Sequence, residues 1–486
     1  MAETTTTPTT DLKRGALGTA DIVFIVVSAA APLMVMVGVA PYALLVGGVG
    51  VPAAYLFAGL TLTIFAVGFT TMSRYVTNAG AFYAYITHGL GKTAGIASAL
   101  LALFSYNVLE IGVFGLLGIS AHNTFQDLWG INLPWPVWAL GGVVLVWYLG
   151  FRSIDFGAKV LAVLLSAETA LLLVLALAIL FRGGARCIGL DSFHPGSVFT
   201  TGIGSVLPIA FAAFMGFEST VIYRSEAREP KRTIPRATYL AVGILAVTYA
   251  FIVWSIVQAF GADAVGQIVA KDPVALFFVA AQTYLGDWAV TLMHLLILTS
   301  IIASLLAFHN AITRYTRAIA DEGMLPERLG AVHPRTGSPY VAGIAQTVLA
   351  AVVVVAFALA GADPYTQLLI WVNTPGVLGI LLLQVAAAVS VPLYFRRTPN
   401  NEGLWRTLVA PVVAVAGMLV ALYLTLTHLS LLTGASDTVN RILGWSVVVV
   451  CLCGVAWAMW LRRRRAEVYD AVAADAIEEA SSVPVG

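Results

Sequence analysis

The sequence predicts an all-α integral membrane protein of twelve transmembrane helices, and three observations carry that expectation. Of the 486 residues, 59% are hydrophobic and 10% are charged, with a mean hydropathy of +0.90. The apolar residues gather into twelve stretches of roughly bilayer-crossing length. The basic residues alternate between successive loops as a membrane requires.

Composition excludes a soluble protein first. A soluble domain carries roughly 25% charged residues, so this chain lacks the charge to cover a water-facing surface. The formal net charge of +1 says little about partners, because the distribution of charge carries the information. The bilayer and a small molecule are the expected partners; nucleic acid is not, and the oligomeric state is left open. Cys187, Cys451 and Cys453 cannot build a disulfide framework. The last two stand on different faces of a helix, so no metal site is expected. The start, MAETTTTPTTDLKR, has no apolar core of a cleavable signal peptide.

The apolar stretches fall near 20–46, 51–74, 94–121, 134–151, 157–181, 202–223, 237–260, 284–316, 340–360, 365–391, 407–430 and 440–461. Two of them, 20–46 and 284–316, exceed one straight span and suggest tilt, interruption or projection beyond the bilayer. With this spacing 22 of the 26 basic residues fall on the side of the N-terminus. Only Arg182, Arg186, Lys271 and Arg441 fall on the other. That asymmetry predicts cytoplasmic termini: a tail at 1–19 and a polar extension at 462–486.

Two spans depart from plain hydrophobicity. The first holds Ser28-Ala-Ala-Ala-Pro32-Leu33, where proline removes a donor and disfavours helix at the residue before it. The sixth holds AFAAFMGFEST, residues 210–220, with Gly216 between aromatics and Glu218 just after. The two lie five spans apart, so they run in opposite directions. Paired interruptions in antiparallel halves point to an inverted-repeat transporter. Freed amides at a half-helix N-terminus favour a carboxylate, and freed carbonyls at a half-helix C-terminus favour an ammonium or a cation. A zwitterionic amino acid suits such a pair.

Three carboxylates lie within spans: Glu110, Glu168 and Glu218. Such groups are costly in a bilayer and usually functional. Glu168 has apolar runs on both sides and no cation near it in sequence, which makes it a candidate proton carrier. Glu218 is the second candidate for proton coupling. Glu110 follows Tyr106 by four residues, so both share a helical face and are candidates to meet the substrate amine. The eighth span holds His294, Thr299, Ser300, Ser304, His309 and Asn310, the largest polar set. Its hydroxyls are read chiefly as bonding helix carbonyls, with sodium coordination as the alternative, and its histidines as interhelical hydrogen bonders. No nucleotide-binding loop is present, so ATP-driven transport is unsupported.

At these residues the sequence resembles the amino acid–polyamine–organocation permeases. The opening interruption of the sixth span runs into Glu226-Ala-Arg-Glu-Pro230-Lys-Arg-Thr-Ile-Pro235-Arg-Ala, similar to that family's following loop. Further matches are Asn78-Ala-Gly-Ala-Phe-Tyr83-Ala-Tyr, Arg317-Ala-Ile-Ala-Asp-Glu-Gly-Met-Leu-Pro326 and His333-Pro-Arg-Thr-Gly-Ser-Pro339. The resemblance spans residues 14–430. It implies a LeuT-type fold, with inverted five-helix repeats at 20–181 and 202–391 and two peripheral helices at 407–461.

It also implies a site. The substrate carboxylate would meet amides from Ser28 through Ala29, Ala30, Ala31 and Leu33, and its ammonium would meet carbonyls from Ala212 to Met215. Phe214 and Phe217 would pack on the substrate. Three departures stand out: Ala-Ala-Ala-Pro replaces the Gly-Ser-Gly of many members, Ala212 stands where some exchangers have tryptophan, and Glu168 stands where several proton-coupled members have lysine. A carboxylate there can carry a proton or help bind sodium, and the coupling ion stays open.

The expected function is import of an amino acid or related amine across the plasma membrane by alternating access, driven by protons in preference to sodium. No cofactor and no enzymatic activity are expected. A sodium symporter or an exchanger of the same fold is the alternative within transport. A transporter-like nutrient sensor is the alternative outside it, although the short tails carry no signalling domain.

Overall fold

Apolar stretches bounded by glycine, proline and charge become helices wherever the backbone can close its own hydrogen bonds, the condition a bilayer imposes. The computed structural model describes residues 17–76, 82–152, 158–185, 188–218, 220–221 and 227–473. Its helices in chain order are α1 (Thr19–Ala29), α2 (Ala40–Gly47), α3 (Val51–Met72), α4 (Phe82–Leu90), α5 (Lys92–Trp129), α6 (Trp135–Phe151) and α7 (Ala158–Phe181). There follow α8 (Pro195–Val198), α9 (Ile203–Ala212), α10 (Pro230–Phe260), α11 (Ala262–Lys271), α12 (Leu276–Tyr284) and α13 (Asp287–Asp321). The last are α14 (Tyr340–Leu359), α15 (Val372–Arg397), α16 (Ala410–Thr427), α17 (Leu429–Thr433), α18 (Asp437–Arg464) and α19 (Ala466–Ala471).

Among the described residues, nine helical segments are long and apolar enough to cross a membrane. Three shorter apolar helices, Thr19–Ser28, Trp135–Phe151 and Ile203–Ala212, fall on other expected stretches. Both stretches that exceeded one span have a physical explanation. The first stops at Ala30 and resumes through a π-helical turn at Met34–Val39 that leads into α2. The other, α13, is unbroken for 35 residues. At 1.5 Å per residue it is about 52 Å long, well beyond a hydrocarbon layer of about 30 Å.

Packing separates inner from outer helices. α1 lies against α7, α10 and α13, and α9 lies against α2, α3, α15 and α16. The apolar window of Pro364–Arg397 is 72% buried, whereas that of Asp437–Arg464 is 17% buried. α18 therefore shows most of its apolar surface, including Leu452 and Trp460, outward. Such a surface needs lipid to cover it.

The motif segments fasten one end of the bundle. Tyr83 donates to Glu322 at 2.8 Å and packs edge-on against Tyr315. In the loop His333–Pro339, the His333 amide donates to the Ser338 carbonyl at 2.9 Å. The Ser338 hydroxyl donates to the Phe151 carbonyl at 2.9 Å, holding the loop to the end of α6. Leu17 and Ala227 form an isolated β-bridge, with the Arg228 amide donating to the Leu17 carbonyl at 2.9 Å. Asn78 to Ala81, Glu226 and both outer ends of the tails lie outside the described residues.

The α5–α18 contact depends on a missing side chain. A Cβ built at Gly454 would stand 2.6 Å from the Ala97 Cα, while one at Gly444 meets nothing within 4 Å. Gly454→Leu is expected to lower the thermal unfolding midpoint in detergent, by an overpacking cost of about 1–3 kcal/mol. Gly444→Leu on the same helix should leave it unchanged; equal melting of the two variants would show that the interface is not close-packed.

Candidate functional site

The first break follows from its local sequence. Pro32 disfavours helix at Ala31, and Ala31 takes φ +45°, a left-handed conformation costing a non-glycine residue about 1–2 kcal/mol. α1 ends with the Ala31 amide on the Ser28 carbonyl at 3.1 Å, and helix resumes with the Val35 amide on the Ala31 carbonyl at 3.1 Å. Pro32 has no amide to offer, which leaves the amides of Leu33 and Met34 at the new N-terminus. Both are met from inside the protein. The Leu33 amide lies beside the Glu168 carboxylate of α7. The Met34 amide donates to Ser300 Oγ of α13 at 3.2 Å, and that hydroxyl donates to Glu168 Oε2 at 2.8 Å. Ser28, Glu168, Thr299 and Ser300 line one small cavity beside the break.

The second break uses different means. α9 carries Pro208 within it and ends at Ala212. Three tight turns then follow, with Phe214 on the Phe211 carbonyl, Met215 on Ala212 and Phe217 on Phe214, at 3.2, 3.0 and 3.3 Å. Gly216 takes φ +105°, which a side chain would oppose. Glu218 folds back so that Oε2 accepts the Gly216 amide at 3.0 Å. Its other oxygen accepts the Tyr106 hydroxyl of α5 at 2.8 Å.

One residue joins the two breaks. The Tyr249 hydroxyl, on α10, reaches the Ala30 carbonyl at 3.5 Å, while its ring packs edge-on against Phe214 with centroids 5.8 Å apart. Tyr55 of α3 packs on the same ring, and its hydroxyl is buried with no partner among the described residues. Phe217 packs on Phe65. Ala30, Ala31, Leu33, Phe214, Met215 and Phe217 are all buried, and Ala212 is partly exposed.

The sequence-derived residues thus divide. Ser28, Ala29, Ala30, Ala31 and Leu33 form the first break with Glu168; Ala212, Phe214, Met215, Phe217 and Glu218 form the second with Tyr106. Glu110 joins neither. Its shared face with Tyr106 does not give it shared partners: Gln346 of α14 donates to it, and His309 Nδ1 stands 3.6 Å away. His294 bonds Thr124 of α5 at 3.1 Å, an interhelical contact as expected. Thr299 bonds the Leu296 carbonyl of its own helix at 2.9 Å. Tyr249 and Tyr55 were not singled out from sequence, although a phenol in the middle of an apolar run was a legible signal.

The chain matches the family model described as amino acid permease over residues 21–469. An uncharacterized transporter of Mycobacterium tuberculosis is 27% identical over 233 residues, 48% of this chain and 47% of that protein. The L-methionine/branched-chain amino acid exporter of Escherichia coli is 29% identical over 185 residues, 37% of this chain and 41% of that protein. The low-affinity putrescine importer of Escherichia coli is 22% identical over 298 residues, 60% of this chain and 63% of that protein. The chain spans about half the length of the first of these relatives. Each is a transporter, and the family model covers nearly all of the chain: it belongs to the amino acid permease family, whose members are membrane transporters and not enzymes.

Proposed function

We propose that this protein imports an amino acid or related amine across the plasma membrane by alternating access, coupled to protons. The proposed frame has twelve spans, with inverted repeats at 20–181 and 202–391, peripheral helices at 407–461 and both termini cytoplasmic. The observation that carries the reading is the pair of helix breaks bridged by Tyr249. One break begins a half-helix with amides that Glu168 and Ser300 occupy until they are released, and the other exposes backbone through short turns, so both ends of a zwitterion can be held by backbone. Two relatives handle amine-bearing solutes, one named an importer and one an exporter, so the direction rests on our reading alone.

Coupling follows from the grip of Glu168 on the second half-helix. As a carboxylate it is the preferred occupant of the Leu33 and Met34 amides, the latter through Ser300. A proton on Glu168 weakens that grip and frees the amides for the substrate carboxylate. Proton and substrate then load together. Glu218 plays the matching part at the sixth span, where a proton would loosen its hold on Gly216 and Tyr106. Glu110 is engaged elsewhere and is left out of the substrate site. Sodium coupling has one observation in its favour: Ser28, Glu168, Thr299 and Ser300, residues whose oxygens suit a hard cation, line one cavity.

Proteoliposomes offered a pooled labelled amino acid and amine set, with pH and sodium gradients imposed separately, test the function. Accumulation under the pH gradient is expected; none under any gradient or preload would sink the transport reading, and a sodium requirement would replace the proton. Glu168→Gln should reduce pH-driven accumulation by about tenfold or more, the effect expected for a transferring acid–base group. Retained pH drive in that variant would remove Glu168 from the coupling. Ser300→Ala strips partners from the Met34 amide and from Glu168, and should lower stability by about 1–3 kcal/mol in thermal unfolding.

A further inference from the structure

Away from both breaks, Glu110 of α5, His309 of α13 and Gln346 of α14 form a buried cluster. Gln346 Nε2 donates to Glu110 Oε2, and His309 Nδ1 stands 3.6 Å from Oε1. The second ring nitrogen of His309 faces another way. It borders Gly150 of α6 and Gly343 of α14, and these with His309 line a cavity of about 510 Å³, counting its open mouth. Two missing side chains keep that nitrogen uncovered. A Cβ at Gly150 would stand 2.6 Å from Cδ2 and 3.1 Å from Nε2, and one at Gly343 would stand 3.4 Å from Nε2.

We infer that Glu110 and His309 form a proton-binding site, loaded from this cavity through His309 Nε2 and distinct from Glu168 and Glu218. The step is a simple transfer: a hydronium reaching the cavity gives its proton to Nε2 and is left as water, and the imidazolium so formed is balanced across 3.6 Å by the Glu110 carboxylate. Gln346 supplies a donor to the second carboxylate oxygen, so the charged pair is not left half-satisfied. Other charged or titratable groups at the cavity are Arg314 of α13 and Tyr340 of α14. Among the described lining residues, α6 and the loop at 337–339 bring none. On α5, Tyr106 is committed to Glu218. With Gln346 the pair ties three helices together, so its proton occupancy would make transport depend on pH at this face. That consequence rests on the transport reading; the proton site does not.

The test is a titration of the purified full-length protein in detergent. Imidazole ring signals are followed by NMR from roughly pH 5 to 8, and His309 is identified by its loss in H309Q. The His309 ring signals should respond to pH, and E110Q should change that response because the carboxylate facing Nδ1 is then gone. Gly150→Ala keeps both ionisable groups but covers Nε2, and should suppress the change. A ring that keeps one protonation state throughout, or that titrates identically in wild type and E110Q, overturns the proposal. Should E110Q fail to fold, a titration unchanged by Gly150→Ala overturns it equally.

Discussion

A helix that stops inside a hydrocarbon layer releases amides and carbonyls that water cannot reach, and each must find a partner within the protein. That constraint explains why α1 is enclosed by α7, α10 and α13. α7 supplies Glu168 and α13 supplies Ser300 to the amides past Pro32, and α10 supplies Tyr249 to the carbonyl before it. The polar groups of three apolar helices are therefore placed by the needs of a fourth. Removing any one of them leaves a backbone group in a site with no replacement.

The two breaks solve the same problem differently. The first relies on side chains from distant helices, because Pro32 forbids a local closure. The second closes locally through short turns, with Gly216 making the reversal and Glu218 reaching back over two residues. From other helices the Tyr106 hydroxyl meets Glu218 and the Thr238 hydroxyl meets Thr220. A break held from outside responds to movement of its holders, whereas one held by its own carboxylate responds to the charge on that carboxylate.

Much of this was legible in the sequence because its causes are local. Pro32 marks one stop and Gly216 the other, and both stand where the chain breaks. Apolar length marked the helices, including the excess length at 20–46 and 284–316. Partners were less legible because they depend on packing across the chain. Glu168 and Ser300 are 132 residues apart, and Glu110 and Gln346 are 236 apart. The spacing of Tyr106 and Glu110 shows the limit most clearly. Four residues place both on one face, yet they lie one turn apart, about 6 Å along the axis, where different helices cross α5. One meets the sixth segment and the other meets α13 and α14.

The sign of the charge in the fifth span decides what a proton can do there. Lysine, as several related permeases have it, would be a guest for carbonyls at the end of the first half-helix. A carboxylate belongs instead to the amides that begin the second, and Glu168 is found beside Leu33 and, through Ser300, linked to Met34. Proton loss from a lysine would free carbonyls, but proton gain by Glu168 would free amides. Under proton-coupled import those are opposite events acting on opposite ends of the same break. On the proposed coupling, a lysine-bearing permease would free the partner of its substrate's ammonium on deprotonation, and this chain would free the partner of the carboxylate on protonation. The Ala-Ala-Ala-Pro sequence fits that proposed inversion, because proline removes one competing amide and leaves Leu33 and Met34 as the first amides of the second half-helix.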